Sequence, residues 1–327
     1  MDKQQIMDLW RLSFGDSADF IHLYFDRVYK EENTLTIERM GRVVSVLQMV
    51  PYTMTYRGTE ISVAYLCGLC TLPSERGKGL MQQLMAEAFQ VMQSRGVALA
   101  ALIPASQRLS EYYRRQGFAS TFGYAEEFYA RPTQPVQEST LTILPLEGLS
   151  LEQLYAYLDR KLRERPCAML HTMDDFITIL RDLHLGGGKL LVAINTDEEA
   201  VGMAFVLPPN KTDTLLAEKE PIALEALPLV TELFFDNDRI RDLILQEVTL
   251  QHDTPAARYQ RPAKANEAHL LGMAQVIDQD RLIRHWIKVH PNSLLTARDL
   301  TQLSPEALAT QLLTEQGAPS WMSLMLN

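Results

Sequence analysis

The stretch "LCTLPSERGKGLMQQLM", residues 69–85, decides the reading of this chain. An apolar run is followed by a proline and a polar turn with two glycines around a lysine. An amphipathic helix then begins, with Leu80, Leu84, Ala88, Val91 and Met92 on one face and Gly96 at its end. A helix N-terminus carries unpaired N–H groups and partial positive charge, so it is a ready anion site. Glycines before it let the backbone approach a phosphate without Cβ interference. Arg76 and Lys78 add charge. Strand, R-G-K-G, then helix therefore reads as a pyrophosphate cradle, with the backbone of Arg76, Gly77, Lys78, Gly79, Leu80 and Met81 as its wall. It is not a Walker A loop: Lys78 is followed by glycine rather than Ser or Thr, and the upstream glycine is missing. It is not a dinucleotide fingerprint either, because position 82 is Gln and the next strand lacks a ribose-binding acid.

Upstream, 4–14 and 16–29 have helical spacing, with Asp16 or Ser17 as N-cap of the second helix. Strand-like runs cover 34–40, 42–54 and 60–72, turning at Gly41 and at Arg57-Gly58. Downstream, "VALAALIP" (97–104) reads as a buried strand, 105–117 as a helix ended by Gly117, and 118–130 as a strand. Residues 131–140 carry two prolines and little apolar pattern, and read as a linker. Beyond it come helices at 150–164 and 174–184, strands at 189–195, 200–208 and 229–235, and a helix at 236–251. A strand and helix follow at 269–291, then a helix at 304–317 and the apolar tail "SWMSLMLN". The order of elements in the second half loosely echoes the first.

With 327 residues, 46% apolar and 22% charged, the chain can bury more than one core. A net charge of −10 argues against a nucleic-acid partner. An acidic surface is compatible with a cationic substrate. Three cysteines give no disulfide framework. Cys67 and Cys70 form a C-x-x-C inside a strand, where residues three apart face opposite ways, so they read as packed thiols. The six histidines from His171 to His290 have no paired ligand spacing, and no metal is expected. The N-terminus has no signal-peptide pattern and no run is long enough to span a bilayer. A cytoplasmic protein without membrane partners is the expectation.

Two motifs, "LPSERGKGLM" (72–81) and, one helix and one strand later, "EYYRRQGF" (111–118), together resemble the GCN5-related N-acetyltransferase superfamily. In that family the glycine turn binds the pyrophosphate of acetyl-CoA, and a tyrosine stands four residues before a Gly-Phe, as Tyr113 does here before Gly117-Phe118. The family's last glycine is Met81 in this chain. That form and the chain length resemble the tandem, enhanced-intracellular-survival type. The fold implied is α+β: tandem acyltransferase folds with mixed twisted sheets flanked by helices, and a small C-terminal α/β segment. The boundaries implied are 1–132 for the catalytic fold, 140–262 for a degenerate copy, and 266–327 for a shortened sterol-carrier-like segment.

The resemblance implies transfer of an acetyl group from acetyl-CoA to an amine, of a small molecule or peptide, by direct attack. Backbone N–H groups within Leu69, Cys70, Thr71 and Leu72 would stabilise the thioester oxygen. Tyr113 would protonate the departing thiolate. From spacing alone, simple packing is an equal reading for Tyr113, and Tyr112, about 100° away on the helix, is the lesser candidate of the two. Ser106 caps its helix or touches the cofactor; Arg108, Arg114 and Arg115 hold a 3′-phosphate or form a solvated face. For the base, Glu126, Glu127, His22 and Asp26 stay open. So does the chain's own carboxylate at Asn327, which reaches the site in the resembled type. Two further readings compete: a non-catalytic acyl-CoA sensor, and carriage of an apolar ligand by the C-terminal segment. A homo-oligomer is compatible with the type.

Overall fold

Two-residue turns set the first hairpins. Met40-Gly41 and Arg57-Gly58 all have positive φ, the twist that suits a tight antiparallel connection. The computed structural model describes residues 2–134, 136, 141–146, 149–209, 226–314 and 318–325. In chain order the first half runs α1 (Lys3–Phe14), α2 (Ala18–Arg27), β1 (Thr34–Arg39), β2 (Arg42–Tyr56), β3 (Thr59–Thr71), α3 (Leu80–Ser94), β4 (Leu99–Leu102), α4 (Gln107–Arg114) and β5 (Ala119–Ala130). The second runs β6 (Thr142–Pro145), α5 (Leu151–Arg163), β7 (Met169–Leu170), α6 (Met173–Leu185), β8 (Lys189–Ile194), β9 (Ala200–Leu207), β10 (Leu229–Phe235), α7 (Asp238–Gln251) and β11 (Ala256–Pro262). Then follow β12 (His269–Val276), α8 (Gln279–Val289), α9 (Ala297–Thr301) and α10 (Pro305–Leu313).

The strands form one mixed sheet in the order β1-β2-β3-β4-β12-β5-β11-β10-β9-β8-β6, with β7 paired to β2. Its parallel pairs are β3–β4 and β10–β11, bridged by α3 and α7. Two helices, three main strands, a crossover helix and a parallel strand thus recur in both halves. Residues 135 and 137–140 of the expected linker lie outside the described residues; the halves join through β5 and β11, paired antiparallel from Ala130↔Ala256 to Tyr124↔Pro262.

The C-terminal segment differs from the expectation of a separate unit. β12 is inserted between β4 and β5, pairing Met273↔Leu102 on one side and Ala274↔Ala119 on the other. The reason lies in side-chain alternation. On β3 and β4, Ala64, Leu66, Ala100 and Leu102 face α3, packing with Leu84, Met85, Ala88 and Met92. Ile61, Val63, Tyr65, Leu99 and Ala101 face the other way. That second face is covered by Leu282, Ile283 and Trp286 of α8 and by Leu308, Leu312 and Leu313 around α10. Helices α8 and α10 of the C-terminal segment thus supply most of the cover of this apolar face among the described residues.

The tail then crosses the seam between the halves. The Ser320 N–H donates to Thr121 O at 2.8 Å, and the Trp321 N–H to Cys167 O at 3.0 Å. Glu232, 1% exposed, accepts from Arg165 at 2.8 Å, from the Trp321 indole at 2.8 Å and from the Ser323 hydroxyl. Arg165 also lies over the rings of Phe234 and Trp321. The buried carboxylate is thus compensated by one cation and two neutral donors, as burial of a charge requires.

Cys67 and Cys70 are free thiols, and burial pushes both up to about 12. At that value the thiolate fraction is negligible at pH 8. Neither should be alkylated by iodoacetamide in the native protein at pH 8, while unfolding in guanidinium should expose both. Mass mapping of the alkylated sites checks this, and native labelling of either would show a reactive thiol.

Candidate active site

β3 and β4 pair only over three residues, from Val63↔Leu99 to Tyr65↔Ala101. β3 runs on to Thr71 while β4 stops at Leu102, so the two strands part. The break coincides with a bulge. Gln48 pairs with Cys67 and Val46 with Cys70, so Gly68 and Leu69 together oppose Leu47. Gly68 has φ +60, and a Cβ there would lie 2.6 Å from the Trp10 ring. Only glycine fits. A glycine inside a strand pattern signals a bulge, and "LCGLC" carried that signal.

The expected donor segment divides by alternation. The Leu72 N–H donates to Val44 O at 2.8 Å, so the amides of Leu72 and Cys70 face β2. Thr71 faces the opening; its carbonyl accepts from Arg76 Nε at 3.0 Å.

Beyond β3, Pro73–Glu75 form a short 3-10 turn, and Gly77 and Gly79 both lie in the left-handed region, at φ +76 and +75. Gly79 is the N-cap of α3 and has no side chain to accept the first amides. The first amide taken up is that of Gln83, which donates to Gly79 O at 3.1 Å. Those of Leu80, Met81 and Gln82 have no acceptor among the described residues. A Cβ at Gly77 would meet nothing within 4 Å, and one at Gly79 only Gln82 Oε1 at 3.8 Å, so the space over the turn is open. The Leu80 side chain is buried, which leaves its backbone to face the turn.

The cations around the turn are not all free. Lys78 Nζ is 3.0 Å from Glu75 Oε1, and Arg39 is 2.5 Å from Glu75 Oε2. The hydrogen bond from Lys78 holds the Glu75 carboxyl below the ordinary carboxylate range, with Arg39 adding to it. Glu75 was not singled out in the sequence, although it lies within the motif. It sets the position of Lys78 beside the open amides. With Arg39, Arg76 and Lys78 against one carboxylate, the turn keeps excess positive charge and can take an anion.

The second half offers a contrast. β10 and β11 also pair briefly, at Leu229↔Arg258 and Val230↔Tyr259. The N-terminus of α7, however, is already capped by Asn237, whose Oδ1 accepts from Ile240 N at 3.1 Å, and Asp238 occupies its first turn. There is no glycine turn and no room for an external anion's charge beside Asp236 and Asp238.

Tyr113, on α4, is 7% exposed and turned inward among Leu47, Met49, Leu66, Leu102 and Phe118. Leu66 and Leu102 lie where β3 and β4 begin to part. Burial pushes the Tyr113 hydroxyl well above the ordinary phenol range, with Tyr112 adding to it. Among the described residues no hydrogen bond to the Tyr113 hydroxyl is present. The Tyr112 ring packs against Tyr113 at 5.3 Å, and its own buried hydroxyl has no partner among the described residues. Ser106 caps α4, accepting from Leu109 N at 3.3 Å, which is the structural one of its two readings. Arg108, Arg114 and Arg115 are exposed, with no ion pair among the described residues.

The side chains weighed as bases are mostly occupied elsewhere. Arg258 binds both oxygens of Glu126, at 3.0 and 2.9 Å. Glu127 accepts from the Tyr259 hydroxyl and, at 2.5 Å, from Arg261; these donors hold its carboxyl low. Both glutamates fasten β5 to β11. Asp26 is exposed and 3.8 Å from Lys3, and His22 is exposed on α2. Asn327 lies outside the described residues.

A cavity of about 450 Å³ opens between the halves. Ile103, which directly follows β4, and Phe20 of α2 belong to its wall, as do Asp182 of α6, Phe205 of β9 and the tail from Trp321 to Met325. Sequence reading missed Asp182, because nothing local connects a helix in the second half with the parting strands of the first. Among the described residues no group of three or more His, Cys, Asp or Glu could hold a metal ion. Nor is any described helix long and apolar enough to cross a membrane.

Residues 1–121 match the family model described as Acetyltransferase (GNAT) domain. The first part of this chain thus resembles a GNAT acetyltransferase domain. Solved structures extend the likeness across both halves. A probable N-acyltransferase from Enterococcus faecalis superposes with TM-score 0.66 at 14% identity, covering 86% of this chain and 72% of that one. Eis1 from Mycobacterium abscessus gives TM-score 0.64 at 15% identity, with the same 86% and 72% coverage. The Saccharomyces cerevisiae N-myristoyltransferase with bound myristoyl-CoA gives 0.52 at 10%, covering 83% and 75%. At these identities the likeness is one of fold. Comparison with curated proteins gives no match. GNAT acyltransferases use an acyl-CoA as cosubstrate, and the open amides at Gly79 suit the pyrophosphate of one.

Proposed function

We propose that the protein transfers an acetyl group from acetyl-CoA to a primary amine in a ternary complex, using the parted strands of the first half. The observation that carries this reading is the uncapped N-terminus of α3 at the Gly77–Gly79 turn, directly beside the opening between β3 and β4. The amides of Leu80 and Met81, with Gly77 and Gly79, hold the pyrophosphate, and Arg76 and Lys78 supply charge. Amides at Leu69 and Thr71 face the thioester oxygen as it gains charge.

The ammonium of the acceptor first loses a proton to solvent. Its lone pair forms the new N–C bond, the C–S bond breaks, and the nitrogen gives up a second proton. Tyr113 donates a proton to the sulfur and is reprotonated from water. The sum is an N-acetylated amine, the free thiol and one released proton. The second half, 140–262, serves as a degenerate copy that builds the acceptor side. Residues 266–327 complete the catalytic fold.

Incubation of the full chain with acetyl-CoA and a panel of amines tests the reading. Thiol release matched by an acetylated product in the mass spectrum is expected. Binding of acetyl-CoA without release across alkyl, aromatic, polyamine and peptide amines would overturn it in favour of a sensor.

A further inference from the structure

The wall of the cavity is chemically lopsided. Two charged residues belong to it among the described residues, Asp182 and Glu232. Glu232 is already compensated by Arg165, the Trp321 indole and the Ser323 hydroxyl. Asp182 has no ion pair and no side-chain hydrogen bond among the described residues, although it is only partly exposed on α6. Burial raises its carboxyl above the ordinary range, as expected for a carboxylate that lacks a cation. Phe20, Ile103, Leu183, Phe205, Leu207 and Met322 belong to the same cavity wall. About 450 Å³ lies within the roughly 300–1,000 Å³ of small-molecule sites.

From this arrangement we infer that the cavity is the acceptor site and takes a primary amine on an apolar or aromatic body, its single ammonium paired with Asp182. The inference rests on the acetyltransferase reading and narrows its acceptor. Among the described residues the cavity holds one uncompensated carboxylate, which satisfies one cation. A polyamine or aminoglycoside would leave further ammonium groups desolvated among Phe20, Phe205 and Met322, and burying unpaired charge is strongly unfavourable. An alkyl or arylalkyl monoamine leaves nothing unpaired and buries its body against those side chains. Ile103, which directly follows β4, places one wall of the cavity at the end of that strand.

The test uses the full chain with acetyl-CoA, 2-phenylethylamine as probe and spermidine as the contrasting amine. 2-Phenylethylamine should be the better acceptor by about 10-fold or more in kcat/KM, the scale of one lost charge pairing. Asp182→Asn should raise its KM by about 10-fold or more, with kcat and acetyl-CoA affinity within about 2-fold. Asp182→Glu should recover part of the loss, which a merely structural aspartate would not. Calorimetric binding of 2-phenylethylamine to the acetyl-CoA-loaded protein gives a readout independent of turnover. Binding weakened in Asp182→Asn supports the inference. No binding, equal binding by wild type and Asp182→Asn, or a preference for spermidine would overturn it. Such a result with acetyl-CoA still bound and some amine acetylated leaves the acetyltransferase reading standing. Failure to bind acetyl-CoA removes both.

Discussion

Replacing Tyr113 with phenylalanine is expected to slow acetyl transfer by about 100-fold or more at saturating acetyl-CoA, within the usual range for loss of a general acid. The ring sits among Leu47, Leu66, Leu102 and Phe118 and is retained by the substitution, so packing barely changes. Only the hydroxyl is lost, and it makes no hydrogen bond to a described residue. Burial raises its pKa, so the proton-donating form persists as pH rises through neutrality and beyond 10. The wild-type limb governed by this group should therefore fall only at strongly alkaline pH, and Tyr113→Phe should lack it. Turnover across pH, with acetyl-CoA affinity measured alongside, checks both parts. Unchanged kcat with unchanged affinity would leave Tyr113 as a core residue.

A chain ending at residue 265 should not fold. β12 separates β4 from β5, so its removal leaves two inner edges unpaired. It also removes Leu282, Ile283, Trp286, Leu308 and Leu312 from the face of β3 and β4. At about 1.5–3 kcal/mol for each large apolar side chain, the loss is comparable to the roughly 5–15 kcal/mol that holds a whole domain together. The truncated chain should lack near-UV circular dichroism and a cooperative thermal transition. A cooperative transition, with acetyl-CoA still bound, would show that the C-terminal segment stands apart from the catalytic fold.

What was legible in the sequence was local. The R-G-K-G turn, the helix after it and the hairpins at Gly41 and Arg57-Gly58 each follow from residues that constrain their neighbours' φ and ψ or satisfy nearby amides. Tyr113 was found through its spacing to Gly117, and its inward orientation follows from its place on an amphipathic helix. What was not legible depends on contacts far apart in the chain. β11, from Ala256 to Pro262, has a mixed polar pattern because its charged side chains serve Glu126 and Glu127 on β5. The C-terminal stretch looked like a unit of its own because its strand and helices are locally complete. Only the second apolar face of β3 and β4 shows why they are needed there. Asp182 and the cavity likewise need both halves and the tail at once.

The central claim is that the uncapped turn at Gly77–Gly79 binds acetyl-CoA. A calorimetric titration of acetyl-CoA into the full chain, wild type against Gly79→Val, tests it most directly. At φ +75 a β-branched residue is strained by at least about 1–2 kcal/mol, and its side chain enters the open space over the turn. The account predicts saturable binding by the wild type and an affinity lower by about 10-fold or more in the variant, with its thermal transition retained. No binding by the wild type, or equal binding by a folded Gly79→Val, would contradict it.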